Sequence, residues 1–231
     1  MSALVDLARD GAVHVPNVLS PEDLAALRGL ADQAVGARPG ARLRNAAVLD
    51  IVLAATGPVG ALAARLTSSA ARPVRTVMFD KTPEANWAVA WHQDRTVPVA
   101  ARIEVEGFGP WSTKDGLLHV APPFAILARM ITLRVHLDPV DAGNAPLRAA
   151  RGSHRLGRIA AEDAAARAAE HAVIDCLAEA GDVWAYATPI LHASDRADPP
   201  DRRRVLQVDY ADFDLPGGLA WRGLGEDHPA C

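Results

Sequence analysis

Apolar and polar positions change rhythm about a third of the way along the chain. Leu24, Leu27 and Leu30 recur at helical spacing behind Ser20-Pro21-Glu22-Asp23. That tetrapeptide is a helix start, with serine at the N-cap, proline at the first helical position and acids in the first turn. Segments 45–54 and 59–66 predict two more helices, parted by Thr56-Gly57-Pro58. Before them, 12–16 is a short extended segment.

From Pro73 the period shortens. Runs rich in β-branched residues occupy 74–79, 130–137, 172–176, 183–186, 190–193 and 203–210, with Gly and Pro punctuating them. One helical interlude, 162–171, breaks the series. Helices followed by short, punctuated strands predict one β-sandwich or closed barrel buttressed by N-terminal helices. The division is a mostly helical 1–72, a β core over 73–211 and an irregular tail over 212–231. That tail would either fold over the barrel mouth or make a subunit contact.

Composition narrows the picture. Half of the 231 residues are apolar and the net charge is −4, an ordinary globular balance with no basic excess for nucleic acid. The local cluster Arg202-Arg203-Arg204 reads as solvated or paired with aspartates. The N-terminus lacks the pattern of a secretory leader, and no stretch reads as approaching the ~18 apolar residues of a membrane span. Cys176 and Cys231 are too few for a disulfide framework. The expectation is a cytoplasmic protein, monomer or homodimer, without membrane or nucleic-acid partners.

Candidate chemistry centres on Trp91-His92-Gln93-Asp94 and on Leu191-His192-Ala193-Ser194, with Arg203 eleven residues after His192. On a strand, His92 and Asp94 would share a face about 6.6 Å apart, and His192 with Ser194 would join them from a distant strand. Two imidazoles and one carboxylate can hold one face of Fe(II) and leave the other positions open. Arginine grips a carboxylate through two parallel hydrogen bonds. Singly, a His-x-Asp pair is more often a surface pair and a lone histidine more often a core one. The set together points to an oxygenase that consumes a 2-oxo acid.

Alternation puts Arg203, Val205, Gln207 and Asp209 on one strand face and Arg204, Leu206, Val208 and Tyr210 on the other. A buried guanidinium without a partner costs several kcal/mol, so a carboxylate is expected beside Arg203: either a co-substrate or Asp209. Lys81, on the preceding strand, could meet an anion. Thr132, Arg134 and His136 alternate on one face and are expected at the cavity, His136 with a structural hydrogen bond. The long connection from Asp94 to Met130 reads as a lid or binding loop, in which Phe108 and Trp111 either cover the substrate or pin the loop, and Lys114 or His119 could meet an anion.

These residues resemble the phytanoyl-CoA dioxygenase family of Fe(II)/2-oxoglutarate oxygenases. The likeness runs through Trp91-His92-Gln93-Asp94, His136-Leu137-Asp138-Pro139, Asn144-Ala145-Pro146-Leu147, Arg151-Gly152-Ser153-His154, Ala180-Gly181-Asp182-Val183 and His192-Ala193-Ser194 followed by Arg203. Ala145 and Arg151 stand where the family has Gly and Pro, which bears on turn geometry in a loop expected to lie away from the ligands. The resemblance implies a double-stranded β-helix (a jelly-roll, cupin-like barrel) with His92, Asp94 and His192 as iron ligands. It implies Arg203, helped by Ser194, as the holder of 2-oxoglutarate; position along the chain, apart from the resemblance, adds Lys81 and Thr132 as candidate co-substrate contacts and Phe108, Trp111, Lys114 and Arg134 as candidate substrate contacts. With the carboxylate of Asp94 present, the resemblance implies hydroxylation or a related oxidation of a small metabolite by O2, releasing succinate and CO2. A cupin-like metal enzyme without a 2-oxo acid and a non-catalytic metal-binding barrel are the alternatives.

Overall fold

Residues 3–34, 40–198 and 201–225 are described by the computed structural model; His228 and Cys231, with the rest of the tail beyond 225, lie outside them. The chain runs α1 (Ala3–Asp10), β1 (Ala12–Val15), α2 (Pro21–Ala34), β2 (Gly40–Ala41), α3 (Ala47–Leu53), α4 (Pro58–Leu66), β3 (Arg72–Lys81), β4 (Val89–His92) and β5 (Val97–Pro98). It continues through β6 (Trp111–Lys114), β7 (Leu117–Val120), α5 (Phe124–Leu127), β8 (Ile131–His136), β9 (Leu147–Ala150) and α6 (Ala164–Ala169). The last strands are β10 (Val173–Cys176), β11 (Val183–Ala187), β12 (His192–Ser194) and β13 (Arg203–Ala211).

All strand pairs are antiparallel. A six-stranded sheet, β1-β11-β8-β13-β3-β2, and a four-stranded sheet, β10-β9-β12-β4, form the jelly-roll, and a small sheet β5-β7-β6 flanks them. The N-terminal helices buttress it as the sequence predicts, because the large sheet alternates. Met78, Leu133, Val135, Leu206, Val208 and Tyr210 face one way and form a single core with Leu27, Leu49, Val52 and Leu62 of the helices. Tyr210 closes that core by donating its hydroxyl to the Leu53 carbonyl at 3.1 Å. The opposite face of the same strands is left for the site.

Ser20 caps α2: its Oγ accepts the Asp23 backbone N–H at 3.1 Å and donates to the Asp23 carboxylate at 2.9 Å. Three expectations are corrected here. Ala47–Leu66 reaches the length and apolarity of a membrane span, but it folds as α3 and α4, broken at Gly57-Pro58 and packed into the core. The connection after Asp94, read as a lid or binding loop, is not all loop: it contains the β6–β7 hairpin. Its turn, Asp115-Gly116, has both residues at positive φ (48° and 75°), the two-residue type that the right-handed twist of a hairpin favours. Finally, the tail up to Trp221 does not cover the mouth. Leu215, Leu219 and Trp221 pack with Val97, Val99 and Val120 in a second apolar cluster.

Candidate metal centre

β4 and β12 are neighbours, and their register pairs His192 directly with His92. The two rings stand 4.2 Å apart between centroids. Asp94 lies two residues beyond the end of β4, so strand alternation does not place it, contrary to the expectation above. Its carboxylate arrives from an irregular segment instead. Even so, one donor atom from each of His92, Asp94 and His192 lies within 4.8 Å of the other two, close enough to share one ion.

The donor chemistry fits such an ion. His92 Nδ1 faces the Ala90 carbonyl at 2.8 Å, and His192 Nδ1 faces the Ile190 carbonyl at 3.0 Å. Each carbonyl requires an N–H, so Nδ1 carries the proton and Nε2 keeps its lone pair for a metal. Burial, and then the neighbouring His92, push the pKa of His192 down to about 4, which keeps this imidazole neutral. Burial opposes ionisation of Asp94, but the Arg75 guanidinium beside it outweighs that and holds the carboxyl below its ordinary value.

Asp94 is fixed through one oxygen. Oδ2 accepts from Arg75 Nη2 at 3.0 Å and from Gln207 Nε2 at 3.3 Å, which leaves Oδ1 for a ligand. Gln207 is itself oriented: its Oε1 accepts from Arg134 at 3.1 Å and from the buried Tyr186 hydroxyl at 3.4 Å. Gln207 was marked by its strand face. Arg75 and Tyr186 were not, because nothing local in the sequence says which strand lies beside Asp94.

A cavity of about 720 Å³ opens onto these residues. His92, Asp94 and His192 line it, as do Ser194, Lys81, Arg203, Arg134 and Lys114. Lys81 is buried rather than solvated, donating to the Asp195 carbonyl at 2.8 Å and to Ser194 Oγ at 3.3 Å. Burial, then Arg203 and Arg134, lower its pKa to about 8. Arg203 is buried opposite Lys81 in the β13–β3 register and donates to the Ala145 carbonyl. Burial and the nearby Arg134 lower its pKa too. The flanking arginines point outward, Arg202 to Asp80 and Asp32, Arg204 to Asp138.

Several expected residues fall elsewhere. Asp209 is not the partner of Arg203; it sits 2.6 Å from Arg75 Nε. Thr132 does not line the cavity; its hydroxyl is buried between Thr188 and Asp209, at 3.0 Å from each. Phe108 and Trp111 pack into the second apolar cluster and pin the hairpin. His119 is buried, its Nδ1 on the Leu117 carbonyl. His136 is buried as well, yet neither ring nitrogen has a hydrogen-bond partner among the described residues. Ala145 supplies the acceptor for Arg203 and does so at φ 48°.

The phytanoyl-CoA dioxygenase family model matches residues 7–205. No curated protein sequence matches the chain. Among solved structures, the epimerase SnoN in complex with Fe3+, alpha ketoglutarate and nogalamycin RO is similar with TM-score 0.67 and 18% identity, over 99% of this chain and 94% of that one. HygX from Streptomyces hygroscopicus, with nickel and 2-oxoglutarate bound, gives TM-score 0.61 and 15% identity over 98% and 96%. EctD from S. alaskensis gives 0.62 and 18% over 99% and 82%. At these identities the likeness is one of fold.

Proposed function

Because this chain belongs to the phytanoyl-CoA dioxygenase family, we propose that it is an Fe(II)- and 2-oxoglutarate-dependent oxygenase that oxidises a small organic metabolite. The observation that carries the reading is one cavity that holds both a His-Asp-His donor set and, beside Ser194, three buried cations without a carboxylate. Among the described residues no carboxylate forms an ion pair with Lys81, Arg134 or Arg203. Buried charges are kept where a partner offsets their desolvation, and the distal carboxylate of a 2-oxo diacid is such a partner. Metal- and 2-oxoglutarate-bound neighbours of the same fold support the same co-substrate.

His92 Nε2, His192 Nε2 and Asp94 Oδ1 would hold the iron. Bound there, iron supplies O2 activation coupled to loss of CO2 from the 2-oxo acid, leaving succinate. Arg75 and Gln207 keep Asp94 turned toward the histidines. Arg203 presents a planar fork to the distal carboxylate, with Ser194 and Lys81 beside it. Val77, Phe79 and Leu147 line the wall between and limit water.

The test is succinate formation from 2-oxoglutarate with Fe(II) and ascorbate under air, in wild type, His92→Ala and Arg203→Ala. Slow wild-type turnover, abolished in both variants, is expected. No succinate, together with no visible charge-transfer band on anaerobic Fe(II) and 2-oxoglutarate addition, would sink the proposal. A cupin-like enzyme without a 2-oxo acid would show turnover indifferent to Arg203.

A further inference from the structure

Of the 24 lysines and arginines in the chain only two are lysines, Lys81 and Lys114, and both line the same cavity. They do not serve the same part of it. Lys81 ends β3, next to Arg203 and Arg134. Lys114, at the tip of the β6–β7 hairpin, has Arg75, Asp94 and Arg42 as its charged neighbours. Arg75 lies six residues before Lys81 on the same strand face, about 20 Å along an extended chain. The cavity therefore has two cationic poles, one beside Asp94 and one at the far end of β3.

Pairing separates the two poles from the rest. Among the described residues six Lys and Arg side chains line the cavity: Arg42, Arg75, Lys81, Lys114, Arg134 and Arg203. Arg75 is matched by Asp94 and Asp209, and Arg42 by Asp115. Among the described residues Lys114 has no carboxylate within ion-pair distance, and its one hydrogen-bond partner is Thr96 Oγ1 at 2.8 Å. An ammonium has three donors, so two remain for a ligand. The remaining acid of the lining, Glu84, is exposed at the rim. A distal carboxylate at Arg203 leaves Lys114 unmatched.

We propose that the primary substrate is an acidic small molecule whose carboxylate or phosphate group seats on Lys114. Resting on the co-substrate reading above, this assigns the second pole to the molecule that is oxidised. A compact ammonium on a flexible stem, unlike a guanidinium fork, accepts either anion without fixing its orientation. The hairpin sets the reach. Lys114 pairs with Leu117 across the Asp115-Gly116 turn, and Asp115 ties the tip to Arg42, so the lysine is delivered to the cavity by a short, anchored element.

Having two lysines makes the test clean. Protein loaded anaerobically with Fe(II) is treated with acetic anhydride, and acetylation of Lys81, Lys114 and the N-terminal amine is read by mass spectrometry. 2-Oxoglutarate is expected to protect Lys81. With it saturating, sodium acetate or sodium sulfate is titrated at constant ionic strength held with sodium chloride, and acetamide serves as the neutral control. Acetate, sulfate or both should slow labelling of Lys114 about tenfold at ten times the dissociation constant, with the N-terminus unchanged and acetamide inert. The more effective anion separates a carboxylate from a phosphate-like group. Equal protection by acetamide, or none by either anion, overturns the proposal while Lys81 protection stands. Loss of Lys81 protection would instead indict the co-substrate reading. Lys114→Gln should keep the 2-oxoglutarate charge-transfer band; losing it would place Lys114 in the co-substrate site and also overturn the assignment.

Discussion

Arg75 Nη2 stands 3.0 Å from Asp94 Oδ2, and the Nε of the same guanidinium lies 2.6 Å from Asp209. One buried cation thus holds two carboxylates, the half-buried Asp94 facing the donor triad and the buried Asp209 facing Thr132. The burden is unequal: Asp94 is held below its ordinary pKa, whereas burial pushes Asp209 above it. Removing the cation leaves both acids uncompensated, and breaking a buried pair from one side costs about 3–5 kcal/mol. Arg75→Met should lower the urea midpoint accordingly and weaken Fe(II) binding by about 10–100-fold. Fe(II) affinity unchanged in a folded variant would show that Asp94 orients itself.

Arg203 is placed to present two parallel donors to a carboxylate, and lysine can present only a point charge. Arg203→Lys should raise the 2-oxoglutarate dissociation constant by about 2 kcal/mol, or roughly thirtyfold. Fe(II) affinity, read by the same anaerobic titration, should stay within twofold, since no donor atom of the triad is touched.

Ala145 occupies the left-handed region at φ 48° while its carbonyl accepts from Arg203. The left-handed conformation costs an L-residue about 1–2 kcal/mol, part of which glycine returns as lost chain entropy. Ala145→Gly should stabilise the fold by up to about 1 kcal/mol in chemical denaturation without changing 2-oxoglutarate affinity. Destabilisation would mean that the methyl group, buried in the loop, packs better than the backbone is strained.

Burial, with Arg134 and Arg203 nearby, pushes the pKa of His136 down to about 3 from an ordinary 6.5. The unfolded chain therefore takes up this proton first as the pH falls. Stability should drop from about pH 6.5 toward pH 3 and level off below it. His192 and His119, both pushed down to about 4 mainly by burial, add to the same slope. His136→Leu should remove up to about 1.4 kcal/mol per pH unit of that slope near pH 5. An unaltered pH profile from urea melts at pH 4, 5 and 6 would show that His136 is protonated in the fold.

What the sequence could declare was whatever depends on neighbours along the chain. The Ser20 cap, the alternation of 203–210 and the breaker at Gly57-Pro58 all act within a few residues, and each is found in place. The Asp115-Gly116 turn is equally local, two adjacent residues at positive φ joining β6 to β7. Parity failed for Asp94 because β4 stops at His92, where alternation stops describing the backbone.

The sequence by itself determined which residue types were available, the core face of each long strand and the family to which they belong. Only the tertiary structure decided their partners. Asp209 was free to pair with Arg203 until the antiparallel register set it opposite Arg75, and Lys114 was one cation in a long loop until the hairpin carried it to the cavity. Partner choice across strands depends on register and on which charges share a low-dielectric space, and neither is encoded within the reach of a local pattern.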